Sequence, residues 1–369
     1  MFRKVFPLLI GAAVGALVAT VAVRLGREGI AGNAALESAT GPAFGGWHPA
    51  VVILGAAAMA MIAILIHEFG HILGAVMVRS RVTRLYWGPL ICLFPERRIR
   101  FAFRNRYFFG AMQTDMQAYH DEASFARGIR AQRIVNAAGP ASSLITGLVA
   151  YGFSASPWSV AGIYALLSVG IGLATLFSDG VNAILLGRRN HALVSGWTML
   201  LQDQRMDEQK LKFLNAASKL YLQELAATSA PAKGRETHDL FLVYYVKLMD
   251  GETARQPAAK RLIEETKAAW SAAIPAKLSK PRRDTLVMVL AEEVVRLCGD
   301  GLREEAEQLY AEIGGRSAKP SPLLLKARAF IEGTENSARE YVQSVRAMHS
   351  DLASYGALIA QEERRMAQA

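Results

Sequence analysis

The chain has 369 residues, of which 52% are hydrophobic, and it carries a formal net charge of +10 at pH 7. A positive charge of this size often indicates nucleic-acid binding, but here the arginines cluster beside long uncharged segments, so no nucleic-acid partner is expected. Only two cysteines occur, Cys92 and Cys298, and their wide separation supports neither a disulfide framework nor a cysteine zinc site.

Four long apolar segments in the first half of the chain predict an all-α polytopic membrane domain over residues 1–187. We place its spans at about 5–24, 50–78, 134–153 and 159–187. The first span follows Arg3-Lys4 and resembles a signal peptide. No convincing small-residue cleavage site precedes Arg24, so we expect this span to be retained.

The second apolar segment contains His67-Glu68-Phe69-Gly70-His71. In a helix the two histidines lie at i and i+4 and project from one face, where both can bind one zinc ion through ring nitrogens. Glu68 lies about 100° around the helix, close enough to act as a base on water without being a ligand. Ionisable groups in a membrane span are costly and usually functional. The alternative is a polar cluster that only joins helices, a role that Asn, Ser or Thr would fill at lower cost.

The arginines of residues 79–133 predict the orientation of the chain in the membrane. By the positive-inside rule this loop is cytoplasmic, together with Arg3-Lys4 and the Arg188-Arg189 pair after the fourth span. Both termini are then cytoplasmic, and the histidines lie just beneath the cytoplasmic face. We assign the chain to a bacterial inner membrane as a multi-pass protein.

A catalytic zinc commonly has three protein ligands and one open position, so a third ligand is expected. Asp179 is the candidate, because it is the only charged residue between Ser159 and Gly187. Gly180 follows it and lets the backbone open locally. The alternative is that Asp179 caps a helix that begins near Val181, since Asp is a favoured N-cap. Three other candidates lie outside the apolar segments and are not favoured: Glu96, His120 and His191.

The loop at 79–133 also contains an alternation of arginine and apolar residues. Ile99, Phe101 and Phe103 recur at every second position, a period that predicts a strand. We expect a small β-hairpin at the cytoplasmic interface, flanked by aromatic residues. This hairpin either pairs with an unwound substrate by strand addition or only rests on the lipid surface, and the sequence favours neither.

Residues 188–369 predict a soluble, cytoplasmic α-helical domain. Short amphipathic segments separated by Pro and Gly suggest an antiparallel array loosely similar to tetratricopeptide repeats, although no firm 34-residue period is present. We expect this domain to have a protein partner, which the sequence does not identify.

These motifs together resemble the site-2 protease family of intramembrane zinc metalloproteases. The resemblance rests on His67–His71, on Ser178-Asp179-Gly180, and on Ala137-Ala138-Gly139-Pro140, which is similar to the family's Ala-Gly-Pro element. It covers roughly residues 50–187. It implies that His67, His71 and Asp179 bind zinc, that Glu68 is the base, and that Gly139 and Pro140 contribute to substrate binding.

The chain departs from the family pattern at three positions. The family usually has Asn three residues after its Gly-Pro, where this chain has Ser143. It usually has Asn and Pro before its Asp-Gly, where this chain has Ile171 and Ala174. These family residues help to open the helix and to hold an extended substrate, so we expect substrate handling to differ here.

We therefore expect an intramembrane zinc endopeptidase that cleaves membrane-spanning protein substrates near the cytoplasmic side of the bilayer. The alternative belongs to another class: a non-proteolytic membrane scaffold that binds hydrophobic segments and recruits partners through its helical tail. The intact Glu68 argues against a scaffold, because a binding protein needs no base.

Overall fold

A computed structural model of the chain describes residues 49–94, 96–103, 107–115, 119–154, 159–202, 206–227, 237–249, 257–272, 279–316, 322–349 and 356–368. The span expected at about 5–24 lies outside these residues. The described residues within 1–117 and 127–185 form one compact unit, and those within 118–126 and 186–369 form a second.

Three described segments are helical, long enough and apolar enough to cross a membrane. Helix α1 is Pro49–Met77, helix α2 is Glu122–Gly152 and helix α3 is Val160–Thr175. Helix α3 continues through a π-helical turn, Leu176–Gly180, into helix α4, Val181–Leu185. Three of the four predicted spans therefore have a counterpart in the part of the chain that the structure describes.

Helix α2 begins at Glu122, well before the start predicted at 134. The carboxylate of Asp121 accepts a hydrogen bond from the backbone N–H of Ser124 at 2.7 Å and so caps the helix. The residues that follow are mostly good helix formers, with no proline before Pro140. Our assignment of three arginines to a loop was therefore wrong, because the helix contains Arg127, Arg130 and Arg133.

Small residues bring α1 and α2 into close contact. A Cβ on Gly70 would lie 2.5 Å from the Cβ of Ser142, and one on Gly74 would lie 2.7 Å from the Cβ of Ala138. Small residues spaced by four let helix backbones approach closely in membranes. Elsewhere α1 exposes large apolar side chains, as expected for a helix that faces lipid: Leu54, Leu73, Val76 and Met77.

The chain between α1 and α2 forms a four-stranded antiparallel sheet in the order β3-β2-β1-β4. The strands are Arg81–Trp87 (β1), Leu90–Leu93 (β2), Arg98–Phe101 (β3) and Ala111–Asp115 (β4). The predicted strand is confirmed as β3 for Ile99 and Phe101, whereas Phe103 lies in a turn beyond its end, and the sheet is larger than the expected hairpin. Among the described strands β3 and β4 lie at the two edges, and every residue of β3 is exposed.

The sheet packs along α1 and not only at the end of that helix. The indole N–H of Trp87 donates to the carbonyl of Met61 at 2.7 Å. Met61 lies 16 residues before Met77, which is about 24 Å along the helix axis. A Cβ on Gly110, which directly precedes β4, would lie 2.9 Å from the side chain of Ile64. The sheet therefore reaches the middle of α1.

The second unit is helical throughout its described residues, apart from short connections. Its helices after α4 are α5 (Arg189–Gln202), α6 (Glu208–Ala227), α7 (Thr237–Met249), α8 (Pro257–Ala272), α9 (Lys280–Gly299), α10 (Arg303–Arg316), α11 (Pro322–Glu332), α12 (Glu335–His349) and α13 (Gly356–Gln368). The predicted helical character of this region is confirmed, whereas its solubility and its repeat-like arrangement stay predictions.

A buried network of charges joins α9, α11 and α13 in this unit. The Lys326 ammonium contacts the Glu292 carboxylate and lies 2.8 Å from Oε2 of Glu362. A guanidinium nitrogen of Arg365 lies 2.8 Å from Oε2 of Glu292. Burial alone would raise the pKa of Glu292, but Lys326 and Arg365 more than offset it and lower the pKa to about 2. Two acidic and two basic side chains thus compensate each other's charge in a largely buried site.

Candidate metal centre

The structure brings the three predicted metal ligands together. The Nε2 atoms of His67 and His71 lie 3.2 Å apart on one face of α1. Oδ2 of Asp179 lies 3.2 Å from Nε2 of His67 and 3.4 Å from Nε2 of His71. Among the described residues this is the one group of three or more His, Cys, Asp or Glu side chains arranged to hold a metal ion. Two imidazole nitrogens and one carboxylate oxygen are a ligand set typical of zinc.

Asp179 reaches the histidines from a local bulge of its helix. In the π-helical turn the backbone N–H of Val181 donates to the carbonyl of Leu176, five residues earlier. Such a turn changes the direction of side chains relative to a regular α-helix and is frequent at functional sites. Because helical hydrogen bonding continues through Gly180, Asp179 does not precede a new helix. Its alternative role as an N-cap is therefore not supported.

Each histidine makes a further hydrogen bond through Nδ1, which leaves Nε2 directed toward the cluster. Nδ1 of His71 donates to the carbonyl of Val135 at 2.7 Å, and Nδ1 of His67 lies 3.1 Å from Oγ of Ser143. Ser143 is completely buried.

The sequence identified Ser143 only as a departure from the family pattern and missed its contact with His67. A signal was present: Gly139 and Ser143 are separated by four residues, as are His67 and His71. Because the spacing is equal on the two facing helices, Gly139 can meet His71 and Ser143 can meet His67.

Gly139 makes room for His71. A Cβ on Gly139 would lie 2.3 Å from Nε2 and 2.4 Å from Cε1 of His71, so any side chain there would collide with the ring. Pro140 lies inside α2 and has no N–H to donate to the carbonyl of Asn136, four residues earlier. The structure thus places Gly139 at the wall of the metal centre, and the contribution of Gly139 and Pro140 to substrate binding stays a prediction.

Glu68 is buried, with 4% of its surface exposed, and its Oε2 has no hydrogen-bond partner among the described residues. Its Oε1 faces Gly110, where a Cβ would lie 2.5 Å away. The φ angle of Gly110 is +99°, a conformation that favours glycine. A buried carboxylate oxygen without a partner is costly. A cation with its bound water, held by His67, His71 and Asp179, would remove this cost, so the residues present fit zinc.

The other sequence candidates do not join this cluster. Glu96 is exposed in the turn before β3. Nε2 of His120 lies 3.7 Å from Oδ2 of Asp121, and both side chains are exposed. In the second unit His191 stacks on His238, with ring centroids 3.5 Å apart.

Among known protein families, the model of peptidase family M50 matches residues 55–348, most of the chain. No curated protein and no solved structure shows significant similarity to it.

Proposed function

Because the chain belongs to peptidase family M50, the site-2 protease family, it is a metallopeptidase, and we propose that it is an intramembrane zinc endopeptidase that hydrolyses membrane-spanning proteins. The observation that carries this proposal is the convergence of three metal-ligand atoms beside a buried glutamate. The Nε2 atoms of His67 and His71 and a carboxylate oxygen of Asp179 all lie within 4.8 Å of one another. They do so inside helices apolar enough to cross a membrane.

His67, His71 and Asp179 would hold the zinc ion. The hydrogen bonds of Nδ1 of His71 to the Val135 carbonyl and of Nδ1 of His67 to the Ser143 hydroxyl would fix the two imidazole rings. When bound, zinc supplies Lewis acidity and lowers the pKa of a water molecule to about 7. Asp179 also compensates the charge of the ion, which would otherwise be costly within an apolar surrounding.

Glu68 acts as the general base. It takes a proton from the attacking water and then delivers that proton to the leaving amine of the cleaved peptide bond. The unpartnered Oε2 is available for this role, while Gly110 leaves just enough space for the other carboxylate oxygen.

The substrate is an unwound segment of a membrane-spanning protein, and the sheet offers it a place to bind. A peptide can add to a sheet edge through backbone hydrogen bonds. Of the two edges, β4 begins next to Gly110 and therefore next to Glu68. We assign β4 to substrate binding and β3, which exposes Ile99 and Phe101, to the lipid surface. Both roles considered for the predicted hairpin, substrate pairing and contact with lipid, are thus assigned, each to a different strand.

The arginine-rich segment at 79–133 supports a cytoplasmic location for the sheet and for both termini, and thus cleavage near the cytoplasmic side of an inner membrane. We further propose that the second unit binds a protein partner that presents or regulates the substrate.

The test is co-expression with tagged single-span membrane proteins, comparing wild type with Glu68→Gln. The wild type should release fragments, whereas Glu68→Gln should retain zinc and lose essentially all cleavage, because the ligand set is intact and the base is gone. Glu96→Gln, at an exposed glutamate, is the matched control and should cleave normally. Asp179→Asn should weaken zinc retention, because an amide oxygen is a poorer ligand.

Two outcomes would contradict this function. If Glu68→Gln cleaved a membrane protein at the wild-type rate, Glu68 could not be the base. Stable co-purification of the membrane proteins with wild type and Glu68→Gln alike, without cleavage by either, would support the scaffold instead.

A further inference from the structure

The two histidines differ in what holds their second nitrogen. His71 bonds to the carbonyl of Val135, which can only accept a hydrogen bond, so Nδ1 of His71 must carry the hydrogen. In the neutral imidazole the Nε2 lone pair is then directed at the metal centre. His67 bonds to the hydroxyl of Ser143, which can either donate or accept. Either ring nitrogen of His67 can therefore carry the hydrogen.

Only one of these two arrangements of His67 can bind a metal through Nε2. When the Ser143 hydroxyl accepts, the hydrogen sits on Nδ1 and Nε2 offers a lone pair. When the hydroxyl donates, the hydrogen sits on Nε2 and can be given to Oδ2 of Asp179 at 3.2 Å. In that state His67 and Asp179 are hydrogen-bonded to each other, and Nε2 of His67 has no lone pair for a metal ion.

We propose that Ser143 is a positioning residue of the metal centre, whose hydroxyl selects the metal-binding form of the His67 imidazole and holds the ring in place. The proposal rests on the zinc site described above and extends it. The neutral imidazole of His71 then has a single form, with its Nε2 lone pair free, whereas the form of His67 depends on the orientation of one hydroxyl group.

The surroundings of Ser143 hold its hydroxyl in a fixed position beside Nδ1 of His67. Ser143 has no exposed surface, so water cannot easily take its place. Its backbone carbonyl accepts a hydrogen bond from Oγ of Ser168 on α3 at 2.9 Å. This bond fixes the backbone of α2 at Ser143. The neighbouring Ser142 directs its own hydroxyl elsewhere, to the carbonyl of Ile66 at 3.2 Å.

The magnitude follows from metal sites in general. Removal of a group that orients a ligating histidine typically weakens metal affinity by about 10- to 100-fold. We expect Ser143→Ala to lose zinc affinity within that range. Ser142→Ala is a matched control, because it removes a serine hydroxyl from the same helix turn but leaves both imidazole rings untouched, so its zinc affinity should stay within about twofold of wild type.

The experiment measures zinc affinity of the purified full chain by competition with a chelator, together with the visible absorption of the cobalt-substituted protein. Ser143→Ala should show weaker binding and an altered cobalt spectrum, whereas Ser142→Ala should resemble wild type. Equal zinc affinity in Ser143→Ala and wild type would overturn the proposal. None of these readouts requires cleavage, so the result is independent of whether a substrate is hydrolysed.

A second pair of variants guards against general loss of structure. Thr and Val have nearly the same shape but differ in the hydroxyl, so Ser143→Thr should bind zinc at least about tenfold more tightly than Ser143→Val. Equal affinities in this pair would also reject the role of the hydroxyl, even if both variants were less stable than wild type.

Discussion

Substitution of Gly139 by Ala should displace the His71 ring from its position in the metal centre. The new Cβ would lie 2.3 Å from Nε2 of His71, and ordinary van der Waals contact begins at 3.4 Å, so the ring has to move by about 1 Å. Metal–ligand distances tolerate deviations of only about 0.2 Å. The ring cannot swing freely, because its Nδ1 is bonded to the carbonyl of Val135. A shift of α2 away from α1 is also unfavourable, because it would break the close packing of Gly70 against Gly139 and Ser142.

Two quantities measure this effect. Overpacking of this kind typically destabilises by about 1–3 kcal/mol, so the protein should still fold, with a lowered midpoint of thermal unfolding. The zinc content after dialysis should fall far below that of wild type, and the rate of proteolysis should fall with it. Gly152→Ala is the control, because it makes the same change in the same helix at a position where a Cβ meets nothing within 4 Å. Wild-type zinc content and activity in Gly139→Ala would refute the geometry of the centre.

Further predictions concern the base and the buried charge network. Gly110→Ala places a Cβ 2.5 Å from Oε1 of Glu68 and strains a positive φ, so cleavage should fall while zinc content, measured by atomic absorption, stays normal. Lys326→Met breaks a buried ion pair and should cost about 3–5 kcal/mol of unfolding free energy in denaturant titrations; a loss below about 1 kcal/mol would contradict the network. Because the folded-state pKa of Glu292 is lowered to about 2, the stability that it contributes is complete above its ordinary value of 4.5 and is lost as the pH falls toward 2. Thermal unfolding at pH 7 and pH 3 should therefore show a smaller acid-induced loss in Glu292→Gln than in wild type.

The grouping of the three candidate metal ligands could be predicted from the sequence, because it depends on the spacing of the two histidines and on the rarity of charge in the apolar segments. His67 and His71 share a helix face whatever the rest of the chain does, and Asp179 stands out as a single charge in an apolar segment. The π-helical turn at Leu176–Gly180 could not be predicted in this way. A bulge of this kind depends on what the helix packs against, and the sequence showed only Gly180 as a local weakness.

The sheet was predicted least completely. Only β3 shows clear alternation of apolar and charged residues, because both of its faces are exposed. In β1 the neighbouring residues Leu85 and Tyr86 are both buried, which hides the period-two pattern that marks a strand with one buried face. The early start of α2 was missed for a different reason: arginines were counted as loop residues, although arginine is a good helix former.

The contact between Trp87 and Met61 has a consequence for how hydrolysis is supplied with water. Hydrocarbon offers no hydrogen-bond partners to the open edge of a sheet, so such an edge at membrane depth must face water or another polypeptide. The sheet lies beside α1 from its end down to Met61, and Glu68 lies between these two levels. We therefore expect the unpaired edge to admit water as far as the level of Glu68 until a bound peptide covers it, so that water for hydrolysis enters along the sheet.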